Sequence, residues 1–427
     1  METAPLLTHF RTHDAPLTLS RGGDLTWDDA ELHRSAQQSD AEGYALLALV
    51  PGVLPWQRAR VLLRTLAASQ DGLDDRTRVT LAKTARALMF GLPAGHVITA
   101  LLALRRMRAN HKHVTRAVLA FVLEHPEAGA LIEARRPALV DCFEHALGKA
   151  TARGCARLIR EGDTESAYVR RHLLRFVGDP GAAVERVRAL YAPGTYGAVA
   201  PGEVPAPLDP AREQVQTVTP TNRGDVAATL VHLYRGGPVG ELRPALAGYV
   251  AEATRGLPRL AASVAVVLDT SASMRGHGER EWAVMSQAAA LRLVLETVCD
   301  RLTVIEAGAA EDAPAGPTDL ANALLDALDT GPDLVVVVTD GYENVMPGDL
   351  ARVVATLPRA GVTTPVVLCQ AMFTRGDDLT FRDPAPELPR QPFWHQDDFA
   401  GMLPWIFAHC GGAGGEWIRA TTLSRLG

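Results

Sequence analysis

The stretch VAVVLDTSASM, Val264–Met274, is an apolar run that ends in oxygen-bearing side chains at every second position. Its Val-rich first half predicts a buried strand, because continuous apolar runs of this kind are typical of parallel sheets covered on both faces. Asp269, Ser271 and Ser273 follow directly. Carboxylate and hydroxyl oxygens are hard donors, which Mg²⁺ and Mn²⁺ prefer. The stretch therefore predicts a metal site at the end of a strand.

The sequence on the C-terminal side of Ala262 alternates between strand and helix patterns. Short runs of apolar residues are separated by helical segments; these runs are SVAVVLD, RLTVIEAG, DLVVVVTDG and TPVVLCQ. Strands that alternate with helices predict a doubly wound, Rossmann-like parallel sheet. In such sheets ligands bind beyond the carboxyl ends of the strands, which is where Asp269 stands.

Two further oxygen donors follow later strands of the predicted sheet. Thr318 lies in the loop GPTDLA before a helix, and Asp340 ends the strand VVVVTDG. We expect Asp269, Ser271, Ser273, Thr318 and Asp340 to converge on one Mg²⁺ or Mn²⁺. The set holds no His and no Cys, which argues against zinc. Two carboxylates would leave the ion under-neutralised, with a position open for an acidic ligand. The alternative is that Asp269 and the serines only cap the next helix, but capping does not account for Thr318 and Asp340.

The first half of the chain has a different periodicity. From about Trp27 to Leu190, apolar residues recur at spacings of three and four, which predicts successive amphipathic helices. Helices of this length in series indicate a HEAT-like repeat domain, with a globular bundle as the alternative. Residues 192–222 are rich in Pro and Gly and predict a loop, and two more helices follow. We therefore predict an α-helical repeat domain over residues 1–255 and an α/β domain over 256–427.

Composition narrows the class of protein. The chain has 427 residues, 47% of them hydrophobic, and five Cys with no CxxC pair, so neither a disulfide framework nor a zinc knuckle is indicated. No apolar stretch is long enough for a membrane span, and METAPLLTHFRTHDAP has no secretory pattern, so we expect no membrane partner and a cytoplasmic location. The sequence also lacks GxSxG, GxxxxGK[ST] and HExxH motifs, and we expect no enzymatic activity.

Charge is distributed unevenly along the chain. The net charge is −6, but residues 51–200 hold 23 Lys+Arg against 13 Asp+Glu, a net of +10. A basic region of this kind indicates a polyanionic partner. The densest cluster is RRMRANHKHVTR, which contains the candidate RNA-binding residues Arg105, Arg106, Arg108, Lys112 and Arg116. The alternative for this cluster is a solvated helix end, where cations are favoured by the helix dipole.

The sequence DTSAS, together with Thr318 and Asp340 in the following loops, resembles the metal-ion-dependent adhesion site of von Willebrand factor A domains over about residues 262–410. With helices in front of it, the whole chain resembles the Ro proteins, which carry the TROVE module. VVLDTSASM and VVLCQAMFTRGDDLTFRDP are similar to the corresponding Ro segments. This resemblance implies a ribonucleoprotein in which HEAT-like helices bind noncoding or misfolded RNA. The alternative is an A-domain adaptor that partners a MoxR-type AAA+ ATPase and grips acidic protein ligands.

Overall fold

The computed structural model describes residues 2–20, 25–193, 208–209, 225–343, 345–374, 376–377, 379 and 382–426. Most of the predicted loop 192–222, and four positions of the segment VVLCQAMFTRGDDLTFRDP, lie outside these residues. The chain divides into two compact units, residues 1–210 with 425–427, and residues 211–424. None of the helices that the structure describes is both long and apolar enough to cross a bilayer.

The first unit is built from helices, with one short antiparallel pair of strands. Its elements in chain order are α1 Thr3–Thr12, β1 Thr18–Leu19, β2 Leu25–Thr26, α2 Ala30–Ser39, α3 Ala41–Leu47, α4 Pro55–Ala67, α5 Asp75–Gly91, α6 Ala94–Arg106, α7 Lys112–Glu124, α8 Ala128–Leu147, α9 Lys149–Arg160, α10 Ala167–His172 and α11 Pro180–Leu190. The pair β1 and β2 was not predicted, because two-residue strands carry no alternation to detect.

Helical spacing explains why the first unit forms a core. In α4, apolar residues at spacings of three and four place Val61, Leu62 and Leu66 inside, and α7 buries Val118, Phe121 and Val122 in the same way. Each of these apolar side chains contributes roughly 1.5–3 kcal/mol when fully buried. Burial of one apolar stripe per helix therefore holds the unit together.

The second unit combines a parallel sheet with helices. Its elements are α12 Val226–Tyr234, α13 Val239–Ala253, β3 Leu260–Thr270, α14 Ala272–Arg275, α15 Ala283–Val298, β4 Cys299–Gly308, α16 Leu320–Asp329, β5 Leu334–Thr339, α17 Asp349–Thr356, β6 Val366–Ala371, β7 Arg390–Phe393, α18 Phe399–Ala408 and α19 Gly411–Arg425. The five strands are all parallel and lie in the order β4-β3-β5-β6-β7. A helical part followed by a parallel α/β part confirms the predicted fold class at this level.

Both faces of the sheet are buried. Ala265 and Val267 belong to a cluster that includes Leu320 and Leu324 of α16. Their neighbours Val264 and Val266 are also fully buried, and because successive side chains of a strand point to opposite faces, they fill the other side of the sheet. The Val-rich sequence of β3 therefore matches its central position.

The boundary between the units differs from the predicted one at residue 255. Helices α12 and α13 pack with α15 of the second unit, and the Val226 N–H donates to Gln396 Oε1 at 2.8 Å. Periodicity had predicted both segments as helices correctly. Periodicity contains no information on which elements a helix packs against, and continuity along the chain therefore places these helices in the first domain.

Candidate metal centre

The candidate metal residues lie at the carboxyl edge of the sheet, where three chain segments meet. Asp269 is at the end of β3, and Asp340 directly follows β5, its neighbour in the sheet. The two strand ends are joined by a hydrogen bond in which the Thr339 hydroxyl donates to Asp269 Oδ2 at 2.6 Å. Asp269, Thr318 and Asp340 are fully buried.

The loop after β3 turns its polar side chains toward one another. The Ser271 N–H donates to Asp269 Oδ1 at 3.0 Å, and the hydroxyl oxygens of Ser271 and Ser273 lie 3.1 Å apart. Ser273 also interacts with the carboxylate of Asp340, whose pKa it lowers in part. The structure thus brings Asp269, Ser271, Ser273 and Asp340 into one cluster.

Backbone hydrogen bonds fix the loop that carries Thr318. The Ala315 N–H donates to the Thr270 carbonyl at 3.1 Å, and the Ala272 N–H donates to the Gly316 carbonyl at 3.1 Å. These bonds hold the segment before α16 against the loop after β3, two residues before Thr318. The buried hydroxyl of Thr318 therefore stands on a segment held against the same strand end.

Burial makes the charges of this cluster costly. Burial raises the pKa of Asp269 to about 7, and the neighbouring charge of Asp340 adds to the shift. Burial also raises the pKa of Asp340. Arg382 acts against this shift, but its guanidinium pairs with Asp377 at 3.2 Å. The protein itself therefore compensates these two carboxylates only in part.

One oxygen of the cluster is left without a hydrogen bond. Asp340 Oδ1 accepts from the Tyr342 N–H at 3.0 Å, whereas the buried Oδ2 accepts no hydrogen bond from any residue that the structure describes. A buried, unpaired carboxylate oxygen is costly. A divalent cation held by the surrounding oxygens would satisfy it, so the residues present fit the predicted Mg²⁺ or Mn²⁺.

Gly341 is the residue that lets the Asp340 loop approach so closely. Its φ is +90°, and a Cβ at this position would lie 2.3 Å from Gln370 Nε2 and 2.5 Å from the Arg382 carbonyl oxygen. Its N–H donates to the Thr339 hydroxyl at 3.0 Å. The roles of Thr339 and Gly341 could not be predicted, because they come from contacts that the sequence does not show. The tripeptide TDG, which follows an apolar strand, was the available signal.

The rim of the cluster is apolar and open. Tyr342, Val345 and Met346 are 44%, 45% and 58% exposed, although each carries a large hydrophobic side chain. Beside them lies a cavity of about 460 Å³, lined in part by Thr318 and Glu343. Exposed apolar groups around a polar centre are typical of surfaces that bind a macromolecule.

A second group of potential ligands lies in the first unit, around Asp29. His9 Nε2, Gln57 Nε2 and Arg60 Nη1 lie 2.8, 2.9 and 3.2 Å from Asp29 Oδ2. Burial alone would raise the pKa of Asp29, but hydrogen bonds, chiefly from His33, Gln57 and His9, hold that pKa well below its usual range. The nearby guanidinium and this complete set of donors favour a hydrogen-bonded network over a cation site.

The predicted RNA-binding residues lie around the connection between α6 and α7. Arg105 forms an ion pair with Asp141 at 2.6 Å, and Arg106 donates to the Ser20 carbonyl at 3.3 Å. Arg108, Lys112 and Arg116 are exposed. The cluster is therefore on the surface, and two of its five cations contact other parts of the protein.

Sequence analysis missed a longer row of cations on α9. In the sequence KATARGCARLIR, the spacing of four, four and three puts Lys149, Arg153, Arg157 and Arg160 on one exposed face. The helical periodicity from about Trp27 to Leu190 gives no boundaries for this helix, so the row could not be recognised as one helix face. The spacing itself was the signal that could have revealed it.

Comparison with known proteins finds similarity among solved structures. No family model matches the chain, and no characterised protein sequence matches it. Among solved structures, the chain is similar to the crystal structure of the Deinococcus radiodurans Ro (RSR) protein, with a TM-score of 0.37 and 14% sequence identity over 94% of this chain and 100% of that chain. At this level of similarity, fold and function rest on the residues described above.

Proposed function

We propose that the second unit is a von Willebrand factor A-like module that binds its ligand through one Mg²⁺ or Mn²⁺, held by Asp269, Ser271, Ser273, Thr318 and Asp340. The observation that carries this proposal is the buried Asp340 Oδ2, which accepts no hydrogen bond from the residues described. Hydroxyl and carboxylate oxygens are the donors that these hard cations take. The bound ion would offer a free position to a carboxylate or phosphate of a partner.

The same cluster supports binding over catalysis. Both carboxylates would be committed to the ion, and the hydroxyls of Ser271 and Ser273 lie 3.1 Å from each other. Neither hydroxyl forms a hydrogen bond with a basic side chain of the described residues that could activate it as a nucleophile. The exposed Tyr342, Val345 and Met346 fit a macromolecular ligand that covers apolar area around an acidic group.

Metal-dependent stabilisation tests this proposal. Mg²⁺ that binds only the folded chain raises its free energy of unfolding by roughly 2.7 kcal/mol at a hundred times the dissociation constant, and Asp269→Ala abolishes the resulting rise in Tm. The control is Asp333→Ala, at the opposite end of β5, where the carboxylate accepts from the Ser263 N–H; it retains the shift. An equal Mg²⁺ response in wild type and Asp269→Ala would place the site elsewhere.

The first unit carries a second proposed function, the binding of noncoding or misfolded RNA in the manner of a Ro protein. It is supported by the net charge of +10 over residues 51–200 and by the exposed cations Arg108, Lys112 and Arg116. Affinity for a labelled RNA falls steeply with salt, because phosphate contacts release counterions. Reversing the charges of Arg105, Arg106 and Arg108 together weakens binding if that cluster takes part.

The adaptor alternative remains distinguishable from RNA binding. The apolar rim of Tyr342, Val345 and Met346 also suits a MoxR-type ATPase or another protein with an acidic contact residue. Protein that is free of nucleic acid after mild purification, and that binds no RNA at low salt, would favour the adaptor. RNA that copurifies with the chain would favour the Ro-like function.

A further inference from the structure

Helix α9 has one buried face and one cationic face. Ala152, Cys155, Ala156 and Ile159 are buried. The opposite face carries Lys149, Arg153, Arg157 and Arg160, all of them exposed. Residues three and four apart are neighbours on a helix surface, so the four cations form one row, about 16 Å long at 1.5 Å per residue.

Most of this positive charge has no counter-charge within the described part of the chain. Arg153 pairs with Glu144 at 2.7 Å. The side chains of Lys149, Arg157 and Arg160 have no hydrogen bond or ion pair with a described residue. Acidic residues do occur just after the helix, at Glu161, Asp163 and Glu165, and the last of these pairs with Arg170. Three of the four cations of the row thus remain without a paired acidic group.

An exposed aromatic residue stands beside the row. Tyr168 of α10 is 39% exposed, and its ring lies so close to Gly154 of α9 that a Cβ there would be 3.2 Å from the Tyr168 hydroxyl. Gly154 is three residues from Arg157 and therefore next to it on the helix surface. The ring of His172 lies 4.6 Å from that of Tyr168, which fixes the tyrosine from its own helix.

A fifth cation extends the row across the aromatic residue. The side chain of Arg171 is exposed, makes no hydrogen bond or ion pair with a described residue, and follows Tyr168 by three positions on α10. The ring therefore stands between cations on two helices. Evenly spaced cations bind a phosphate backbone, and an exposed ring offers a face on which an unpaired base can stack. An acidic peptide would use the cations but not the ring.

We propose that this α9–α10 surface binds single-stranded RNA, with phosphates on the cations and a base on the tyrosine; its residues are Lys149, Arg153, Arg157, Arg160, Tyr168 and Arg171. The proposal rests on the RNA-binding function proposed for the first unit and names its site and its ligand. The cations supply affinity for any strand, and the aromatic ring selects for unpaired bases.

Fluorescence anisotropy of the full chain with a short labelled oligouridine tests the cationic row. Arg157→Glu with Arg160→Glu weakens binding and lowers the slope of log affinity against log salt by about 0.7 for each lost phosphate contact. The control, Arg76→Glu with Lys83→Glu on α5, makes the same change in net charge at exposed sites and has a smaller effect. Arg157→Gln with Arg160→Gln repeats the test without new acidic groups on α9.

Substitution of the tyrosine tests the stacking. Tyr168→Ala weakens oligouridine binding by roughly 5- to 150-fold, leaves the salt slope unchanged, and leaves affinity for an RNA duplex unchanged; Tyr168→Phe binds as wild type. Equal effects of the α9 and α5 variants, or displacement of the RNA by polyglutamate at equal charge, would overturn the site. A wild-type chain that binds no RNA at low salt would instead overturn the proposed function.

Discussion

Asp29 in the first unit and Asp340 in the second are buried carboxylates in opposite situations. The side chain of Asp29 is 7% exposed and is surrounded by donors from His9, Gln57 and Arg60, and its pKa is held low. Asp340 is fully buried, and its Oδ2 accepts nothing from the residues described. The first carboxylate is neutralised by the protein. The second carboxylate has an oxygen without a hydrogen bond from the described residues, and we expect a bound cation to neutralise it.

This difference decides which cluster is the better metal candidate. The group around Asp29 contains histidines and carboxylates close together, which by residue type alone looks like a metal site. The group around Asp340 contains only hydroxyls and carboxylates. A cation competes with the guanidinium of Arg60 at the first site and meets two partly compensated carboxylates at the second. The degree to which neighbouring groups neutralise the carboxylates, more than the residue types present, distinguishes the two clusters as candidate metal sites.

The largest expected effect comes from removing the cation of the first cluster. Arg60 is fully buried and pairs with Asp28 and Asp29 at 2.8 and 3.2 Å. Arg60→Met leaves Asp29 without this charge, and the free energy of unfolding in a denaturant titration should fall by about 3–5 kcal/mol. Arg34→Met removes an exposed ion pair with Glu31 and should cost less than about 1 kcal/mol. Equal losses of free energy of unfolding in the two variants would contradict the conclusion that Arg60 neutralises Asp29.

The second expected effect, smaller than the first, is a pH dependence of the stability of the second unit in the absence of metal. Burial raises the pKa of Asp269 from 3.8 to about 7, so the folded state binds the extra proton in this window. The contribution of Asp269 to metal-free stability therefore decreases as pH rises from about 4 to about 7, by at most about 1.4 kcal/mol per pH unit, and changes little above that. Mg²⁺ competes with the proton and removes the decrease.

Two controls sharpen the pH measurement. Asp269→Asn cannot titrate, so the difference in thermal stability between wild type and this variant isolates the contribution of Asp269. The lowered pKa of Asp29 acts with the opposite sign, because its contribution is present above about pH 4 and is lost as pH falls below it. The two windows do not overlap. Burial lowers the pKa of His409 and makes stability rise in the same window, so the comparison is made between wild type and Asp269→Asn. A wild-type stability that rises between pH 4 and pH 7 relative to Asp269→Asn, in the absence of metal, would argue against a buried, uncompensated Asp269.

Much of the sheet could be predicted from sequence because its strands are buried on both faces. The runs that contain Val264 and Val335 are continuous and apolar, so strand type and order of appearance follow directly. Strand β7, Arg390–Phe393, could not be predicted: RQPF contains a charge and a proline, and it forms a strand only through its pairing with β6. Tertiary contacts, not local preference, create it.

The candidate metal site likewise contains residues whose role the sequence predicts and residues whose role it does not. Asp269, Ser271, Ser273 and Asp340 could be predicted to meet, because residues at the ends of neighbouring parallel strands share one edge. Thr339 could not be assigned a role, since its hydroxyl matters through the Asp269 carboxylate that it contacts. The metal itself stays a prediction. On α9, residue spacing was sufficient, but only once the helix boundaries were known.

The packing of α12 against α15 determines how the second unit could be produced alone. A fragment that starts at the predicted boundary, residue 256, would lack Val226–Tyr234, most of whose residues are buried in that unit. It would also break the approach of His395 to Asp225 and expose the face of α15 that α12 covers. Expression of such a fragment would favour aggregation, whereas a fragment that begins ahead of Asp225 keeps the unit complete.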